Sequence, residues 1–407
     1  MPTPPARRTW PPSSGRRRKT CAATAGILSS RPVPSIASDL PPLTLYVHIP
    51  WCLKKCPYCD FNSHEAKDGI PEAAYSDALQ RDLDGALPLV AGRTVESVFI
   101  GGGTPSLMSP AGIARILGVP PRLTFRADTE VTLEANPGAI EAAKFAGFRA
   151  AGVTRLSLGI QSFDDAKLGS LGRIHSSDEA KRAAELALRH FERVNLDLMY
   201  GLPGQTLAEA RRDIETAIGF GPGHISAYHL TLEPNTAFFH APPDLPNDDL
   251  AADMQEMVEE TLAAAGYGHY ETSAFAKPDQ QCRHNLNYWH FGDYLGIGAG
   301  AHSKIDGRRE AQPRNPKDYL ADPVTRKWQP IAQEDLAGEF MMNALRLIDG
   351  FESALFQERT GLPLETIAPA LRRAESEGLL VRTGGRIAPT PLGQRFLNRL
   401  IGLFLSS

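Results

Sequence analysis

Between Leu43 and Leu230 short apolar runs alternate with stretches of helical spacing. The runs predict strands at Thr44–His48, Val95–Ile100, Glu130–Ala135, Arg155–Ile160, Arg193–Met199 and His224–Leu230. Helical spacing lies between them. Pro71–Leu89 carries apolar residues at Ala74, Ala78 and Leu79. A helix follows Asn136-Pro137-Gly138 through Ala150. Ser177–His190 has Ser176 or Ser177 as N-cap, and Leu207–Ile218 is helical. Strands alternating with helices predict parallel strands joined by right-handed crossovers. In a barrel-like sheet the C-terminal strand ends share one face, where active sites sit. Six units are countable instead of eight, so the expected fold is α/β, an incomplete (β/α)6 barrel.

Past this region the pattern changes. Asp248–Ala265 is a further helix, and residues 266–330 are less regular. From Glu334 helices are expected near 334–347, 352–359 and 364–377. Extended runs at Leu379–Thr383 and Arg386–Pro389 follow around Gly384-Gly385, then a last helix to about Leu405. Two short extended runs around Gly-Gly read as a hairpin, so this end reads as winged-helix-like. Its second and third helices are not strongly basic, which favours a packing lid over the barrel against DNA binding. The expected division is 1–40 a disordered basic extension, 41–240 the partial barrel, 241–330 a barrel extension, and 331–407 the winged-helix-like domain.

Charge and cysteines narrow the class. A formal net charge of −4 with mixed signs does not suggest a dedicated nucleic-acid binder. Three of five cysteines are clustered and no secretory apolar segment precedes them, which implies a reducing compartment, the cytoplasm. No apolar run approaches the length of a membrane span. Residues 1–40 carry Arg7, Arg8, Arg16, Arg17, Arg18, Lys19 and Arg31 with no acid before Asp39. An organellar transit peptide has that composition. The many prolines disfavour a targeting helix, leaving a disordered extension or a start set too far upstream. Cys21 lies in this stretch.

The clustered cysteines are Cys52, Cys56 and Cys59, at C-x3-C-x2-C spacing directly after the first strand. Three thiolates in one loop can hold one iron–sulfur centre, and three ligands on a four-iron cube leave one iron open. A zinc knuckle or three unrelated thiols are the alternatives; zinc wants a fourth ligand, and only His48 and His64 are near. With Tyr58 before the third cysteine, the loop resembles that of the radical S-adenosylmethionine (SAM) superfamily. The resemblance covers residues 43 to about 235. It implies a [4Fe-4S] cluster on Cys52, Cys56 and Cys59, with SAM chelating the open iron. Gly101-Gly102-Gly103-Thr104-Pro105, after the second strand, lets backbone approach a ligand closely. It matches the superfamily's glycine motif for the amino-acid end of SAM, which makes Gly102, Gly103 and Thr104 ligand-binding candidates.

A narrower resemblance is to the oxygen-independent coproporphyrinogen oxidase group. Tyr46-x-His48-Ile49-Pro50-x-Cys52, Leu133-Glu134, Gly159-Ile160-Gln161-Ser162-Phe163, Leu171-Gly172-Arg173 and Asn195–Pro203 match its motifs in order. This implies that Tyr46, Tyr58, Glu134, Gln161, Arg173 and Asp197 line the SAM site, Glu134 receiving an amino group or a ribose hydroxyl. The oxidases carry an extra cysteine two residues after the third; here Phe61 stands there. His284-Asn285-Leu286-Asn287-Tyr288-Trp289 resembles instead the H-N-x-x-Y-W signature of HemW-type heme chaperones. An imidazole can ligate heme iron and large aromatics can line a porphyrin face. His284 is thus the candidate heme residue, and Cys282 is open as thiolate ligand or buried thiol. The implied function is a heme chaperone needing an electron donor and handing heme to acceptors such as membrane respiratory proteins. The alternative is an oxygen-independent coproporphyrinogen III oxidase, which would use reductive SAM cleavage to decarboxylate propionate side chains.

Overall fold

The computed structural model describes residues 40–67, 69–118 and 123–405. The basic extension expected over residues 1–40, Cys21 included, lies outside them apart from Leu40. Six strands run parallel in sequence order: β1 (Leu43–Ile49), β2 (Thr94–Gly102), β3 (Thr124–Ala135), β4 (Arg155–Gln161), β5 (Arg193–Tyr200) and β6 (His224–His229). Between β1 and β6, helices Glu72–Ala86, Pro110–Leu117, Ser177–His190 and Leu207–Phe220 make the principal crossovers, and two short helices, Ala139–Ala142 and Phe145–Ala150, replace the single one expected. The capping boxes Ser176/Glu179 and Thr206/Glu209 start two of these helices where orphan amides need acceptors.

The sheet is larger than the six-unit count. After β7 (Gly268–Glu271) and β8 (Ala274–Ala276), the segment expected to be irregular supplies β9 (Asp293–Ile297), β10 (His302–Ile305), β11 (Arg308–Ala311) and β12 (Gln329–Pro330). The twelve strands follow the order β12-β11-β10-β9-β1-β2-β3-β4-β5-β6-β8-β7. β9 lies parallel to β1, pairing Tyr46 with Gly296, so the sheet has a seventh parallel strand. Arg326 clamps this addition: its guanidinium bonds Asp82 of the Glu72–Ala86 helix, Glu310 and the Gly296 carbonyl.

Strand alternation gives the sheet two unlike sides. Leu45, Val47, Leu156, Leu158, Leu196 and Leu198 join the apolar core with the crossover helices. The other side carries Tyr46, Glu134, Ser157, Asn195 and Asp197, hydrogen-bonded among themselves and to nearby groups. A short helix, Arg283–Trp289, closes this side near the strands' N-terminal ends. Asn287 Nδ2 donates to Thr44 Oγ1 at 3.2 Å, and His284 Nδ1 lies 3.0 Å from Ser97 Oγ.

The C-terminal region has its own apolar core around Phe340, Phe351, Phe356 and Leu371. Helices Gln333–Ala344, Ser353–Thr360 and Ala368–Ser376 surround a three-stranded sheet of Phe351–Glu352, Leu380–Thr383 and Arg386–Pro389. The Gly384-Gly385 turn has positive φ at both residues, as the predicted hairpin requires. The last helix is broken into Pro391–Arg395 and Leu397–Gly402. Among the described residues no helix is long and apolar enough to cross a membrane.

Candidate functional site

The cysteine loop leaves the C-terminal end of β1, so strand geometry delivers it to the face where the other loops gather. A two-residue strand, Trp51–Cys52, pairs with His64–Glu65 and closes the loop on itself. Cys52, Cys56 and Cys59 are free thiols at its half-buried surface. Burial pushes the Cys52 and Cys59 thiols up, while hydrogen bonds from the Thr104 and Ser63 side chains oppose that at Cys52. Arg173 Nη1 stands 3.7 Å from Cys56 Sγ, and its Nη2 donates to Asn136 Oδ1 and the Gly159 carbonyl at 2.8 Å each. The structure thus ties Arg173 to the cysteine loop as well as to the strand ends where a nucleotide was expected.

The histidines that a zinc knuckle would need are engaged elsewhere. His48 Nδ1 is 2.9 Å from Tyr46 OH and its Nε2 is 2.8 Å from the Asn62 carbonyl. His64 Nε2 lies 3.3 Å from the Arg314 carbonyl. Among the described residues no three His, Cys, Asp or Glu side chains are gathered closely enough for one metal ion. Three half-buried thiols on one loop, with no fourth His, Cys, Asp or Glu side chain gathered on them among the described residues, have the donor set of a cluster with an open corner.

The glycine loop is clamped to the cysteine loop. Gly103 N donates to the Ile49 carbonyl and Thr104 N to the Trp51 carbonyl, each at 2.7 Å. A Cβ on Gly103 would lie 2.6 Å from the Trp51 carbonyl oxygen. Gly102 has φ +113, and a Cβ there would meet the His48 ring at 2.5 Å. These glycines therefore admit neighbouring protein, a reason the sequence pattern did not disclose; the Gly102 side of the loop also borders the cleft.

Glu134 ends β3 beneath that loop, its Oε2 accepting from Gly102 N at 3.0 Å. Burial, then the Asp197 charge, push its carboxyl up to about 8. Asp197 accepts from Ser157 Oγ at 3.0 Å and Asn195 Nδ2 at 2.8 Å, and burial raises its carboxyl too. Gln161 has φ +68, an unusual conformation for a non-glycine residue and a frequent mark of functional positions. Tyr58 packs beside Phe238, which holds the loop from below.

A cleft of about 410 Å³ opens beside these residues. Tyr46, Gly102 and Glu134 border it from the strand ends, and Phe61 and Asn62 from the exit of the cysteine loop. Tyr288, Tyr294, His302 and Arg314 border it from the segment after β8. His284 does not. It is 2% exposed, stacks on Phe99 with centroids 5.0 Å apart, and lies behind Tyr46 and Tyr288, whose rings are 6.4 and 5.1 Å away. Its Nε2 has no partner, and burial pulls its imidazole down to about 3. Of the hexad, Tyr288 reaches the cleft. Cys282 is a buried thiol, pushed up to about 11 by burial, with its backbone N–H on Tyr270 OH. The contributions of Tyr294, His302 and Arg314 were missed because they sit on a segment that shows no strand periodicity. The run Gly296-Ile297-Gly298-Ala299-Gly300-Ala301-His302 was the available signal.

A parallel α/β sheet with a three-cysteine loop after its first strand defines a radical SAM protein. The Radical SAM superfamily model matches residues 46–217, and that of the HemN C-terminal domain matches 331–396. The solved structure of coproporphyrinogen III oxidase (HemN) from Escherichia coli shares the fold, with TM-score 0.78 at 24% identity over 91% of each chain. Within the superfamily the chain belongs to the HemW family. It is 48% identical to heme chaperone HemW of Escherichia coli over 90% of this chain and 99% of that one. It is 33% identical to the Bacillus subtilis HemW over 88% and 98%. A bovine mitochondrial radical S-adenosyl methionine domain-containing protein 1 is 37% identical over 84% and 80%.

Proposed function

We propose that this protein is a heme chaperone that carries a [4Fe-4S] cluster on Cys52, Cys56 and Cys59, binds SAM beside it, and hands heme to an acceptor protein. The observation that carries the reading is Phe61. Where the oxidases have a further cysteine this chain has a ring, 59% exposed, on the border of the cleft. A thiol there would suit redox chemistry; an aromatic suits holding a flat apolar ligand. The 48% identity to a protein named as a heme chaperone supports the same choice.

SAM belongs at the strand ends, with Tyr46, Gly102, Glu134, Gln161 and Asp197 around it. Bound SAM and cluster together supply one-electron chemistry when a donor reduces them; the protein supplies position. Arg173 would brace the cysteine loop through its contact with Cys56, and Glu134 would ionise to accept an amino or hydroxyl donor. His284, behind the floor formed by Tyr46 and Tyr288, supports that floor.

The test is anaerobic reconstitution followed by two assays on one preparation. Stoichiometric heme uptake with no decarboxylation of coproporphyrinogen III, given SAM and reductant, is expected. Robust decarboxylation without stoichiometric heme uptake would instead make the protein an oxidase.

A further inference from the structure

We propose that His302, not the hexad histidine, is the protein ligand to heme iron, with Arg314 pairing to a heme carboxylate; this rests on the heme-chaperone reading above. Three observations converge. The first is direction. On β10, Ser303 Oγ bonds Gly296, Glu310 and Arg326 on the side of the Glu72–Ala86 helix. Successive strand residues face opposite ways, so His302 faces the cleft with Tyr294, and both border it.

The second is availability. An iron ligand needs a ring nitrogen with no competing partner. Among the described residues His302 makes no side-chain hydrogen bond, whereas both ring nitrogens of His48, the other histidine on the cleft, are taken. His284 fails differently: its Nε2 is free but enclosed, and reaching it would displace Tyr46 or Tyr288.

The third is the company His302 keeps. The Arg314 side chain forms no ion pair among the described residues, while its carbonyl accepts from Asn62 Nδ2 at 2.9 Å, which fixes the backbone at the cleft. Phe61, Tyr288 and Tyr294 add aromatic surface. Tyr288 and Tyr294 pack with centroids 4.6 Å apart. An imidazole, a guanidinium and aromatic walls form a donor set for a planar, carboxylated, iron-bearing macrocycle. Asn62 Nδ2 also donates to the Ala299 carbonyl at 2.9 Å, stitching the cysteine loop to the segment that carries His302.

The experiment is a ligand swap on the full, cluster-loaded chain. Heme difference spectra and EPR are recorded for wild type, His302→Ala, His302→Cys and His284→Ala. Wild type and His284→Ala should show imidazole-type ligation, His302→Ala should lose it, and His302→Cys should turn thiolate-like. A residue with only a structural role would not carry its own chemistry into the spectrum. His302 is exposed, so its replacement leaves the fold intact. Imidazole-type ligation surviving in His302→Ala overturns the proposal, as does its loss in His284→Ala alone. Absence of stoichiometric heme uptake by wild type overturns the chaperone reading itself, and the proposal with it. Arg314→Gln should raise the Kd for heme about tenfold and leave that for heme dimethyl ester unchanged. Equal weakening of both would remove Arg314 from the proposal.

Discussion

At the scale of single residues, the cysteine loop and Glu134 answer different questions. Replacing Cys52, Cys56 or Cys59 by Ser should remove iron and sulfide from the reconstituted protein, since each is one of only three anchors. Cys282→Ser should keep both, because that thiol is enclosed near the N-terminal strand ends. Full cluster content in the triple substitution would end the cluster hypothesis. Glu134 makes a prediction with a sign. Its carboxyl is raised from 4.5 to about 8 in the folded chain, so the folded state holds a proton that the unfolded state has released. That contribution is fully present below pH 4.5 and is lost as pH rises through about 8. Cluster-free wild type should therefore lose thermal stability across this window, and Glu134→Gln, which keeps the acceptor for Gly102 N, should lose less. Parallel Tm profiles for the two proteins would show that the Glu134 carboxyl is not the cause. Glu134→Gln should also weaken SAM binding about tenfold, read by calorimetry.

At the scale of elements, most of the barrel was legible and its extension was not. The Ser177–His190 helix was predicted to the residue, because a capping box starts it and small apolar residues at Ala180, Ala183, Ala184 and Ala187 mark its buried face. β3 was half seen: Thr124–Asp128 is largely exposed, its alternation rests on Phe125 and Ala127 alone, and a register shift interrupts its pairing with β2. β9 is short, contains Gly296, and owes its place to a β1 partner some 250 residues away, as in Leu43 beside Asp293. No local pattern reports such a pairing. The cysteine loop was readable because its spacing, the aromatic at Tyr58 and the strand before it are all local in sequence. The cleft's far wall was not, because tertiary contacts assemble it. One such contact is testable. Asp82 is fully buried and bonds Arg326, Gln312, Tyr319 and Gly298 N. Asp82→Ala strips the buried Arg326 guanidinium of one of its two carboxylate partners, Glu310 remaining, and takes the acceptor from Tyr319 and Gly298 N, a loss of about 3 kcal/mol. Denaturant unfolding should show it, and Asp82→Ala combined with Arg326→Met should recover part of it. A loss under about 1 kcal/mol would mean that solvent reaches the guanidinium freely.

At the scale of the whole molecule, the C-terminal core is fastened to one short segment beside the sheet. Phe291, just past the Arg283–Trp289 helix, packs against Phe340 of the C-terminal core with ring centroids 5.7 Å apart. Arg346 lies over the Trp289 ring at 5.2 Å, and Ile348 N donates to the Tyr270 carbonyl. The C-terminal region is thus fastened to the helix whose Tyr288 borders the cleft, while the cysteine loop hangs from the opposite strand ends. Damage to the second core should then travel to the cleft but not to the cluster. Phe340→Ala removes a fully buried ring that touches Phe291, Phe351 and Phe356, at a cost of about 3–5 kcal/mol. Amide exchange along residues 283–291 should quicken in this variant, since that segment loses its backing. Heme affinity should fall with it, because Tyr288 is held by the same helix, while iron and sulfide content should match wild type. Unchanged exchange in 283–291 alongside faster exchange in 333–360 would show that the second core opens independently. The C-terminal region would then be a separate appendage to the barrel, not the backing of its floor.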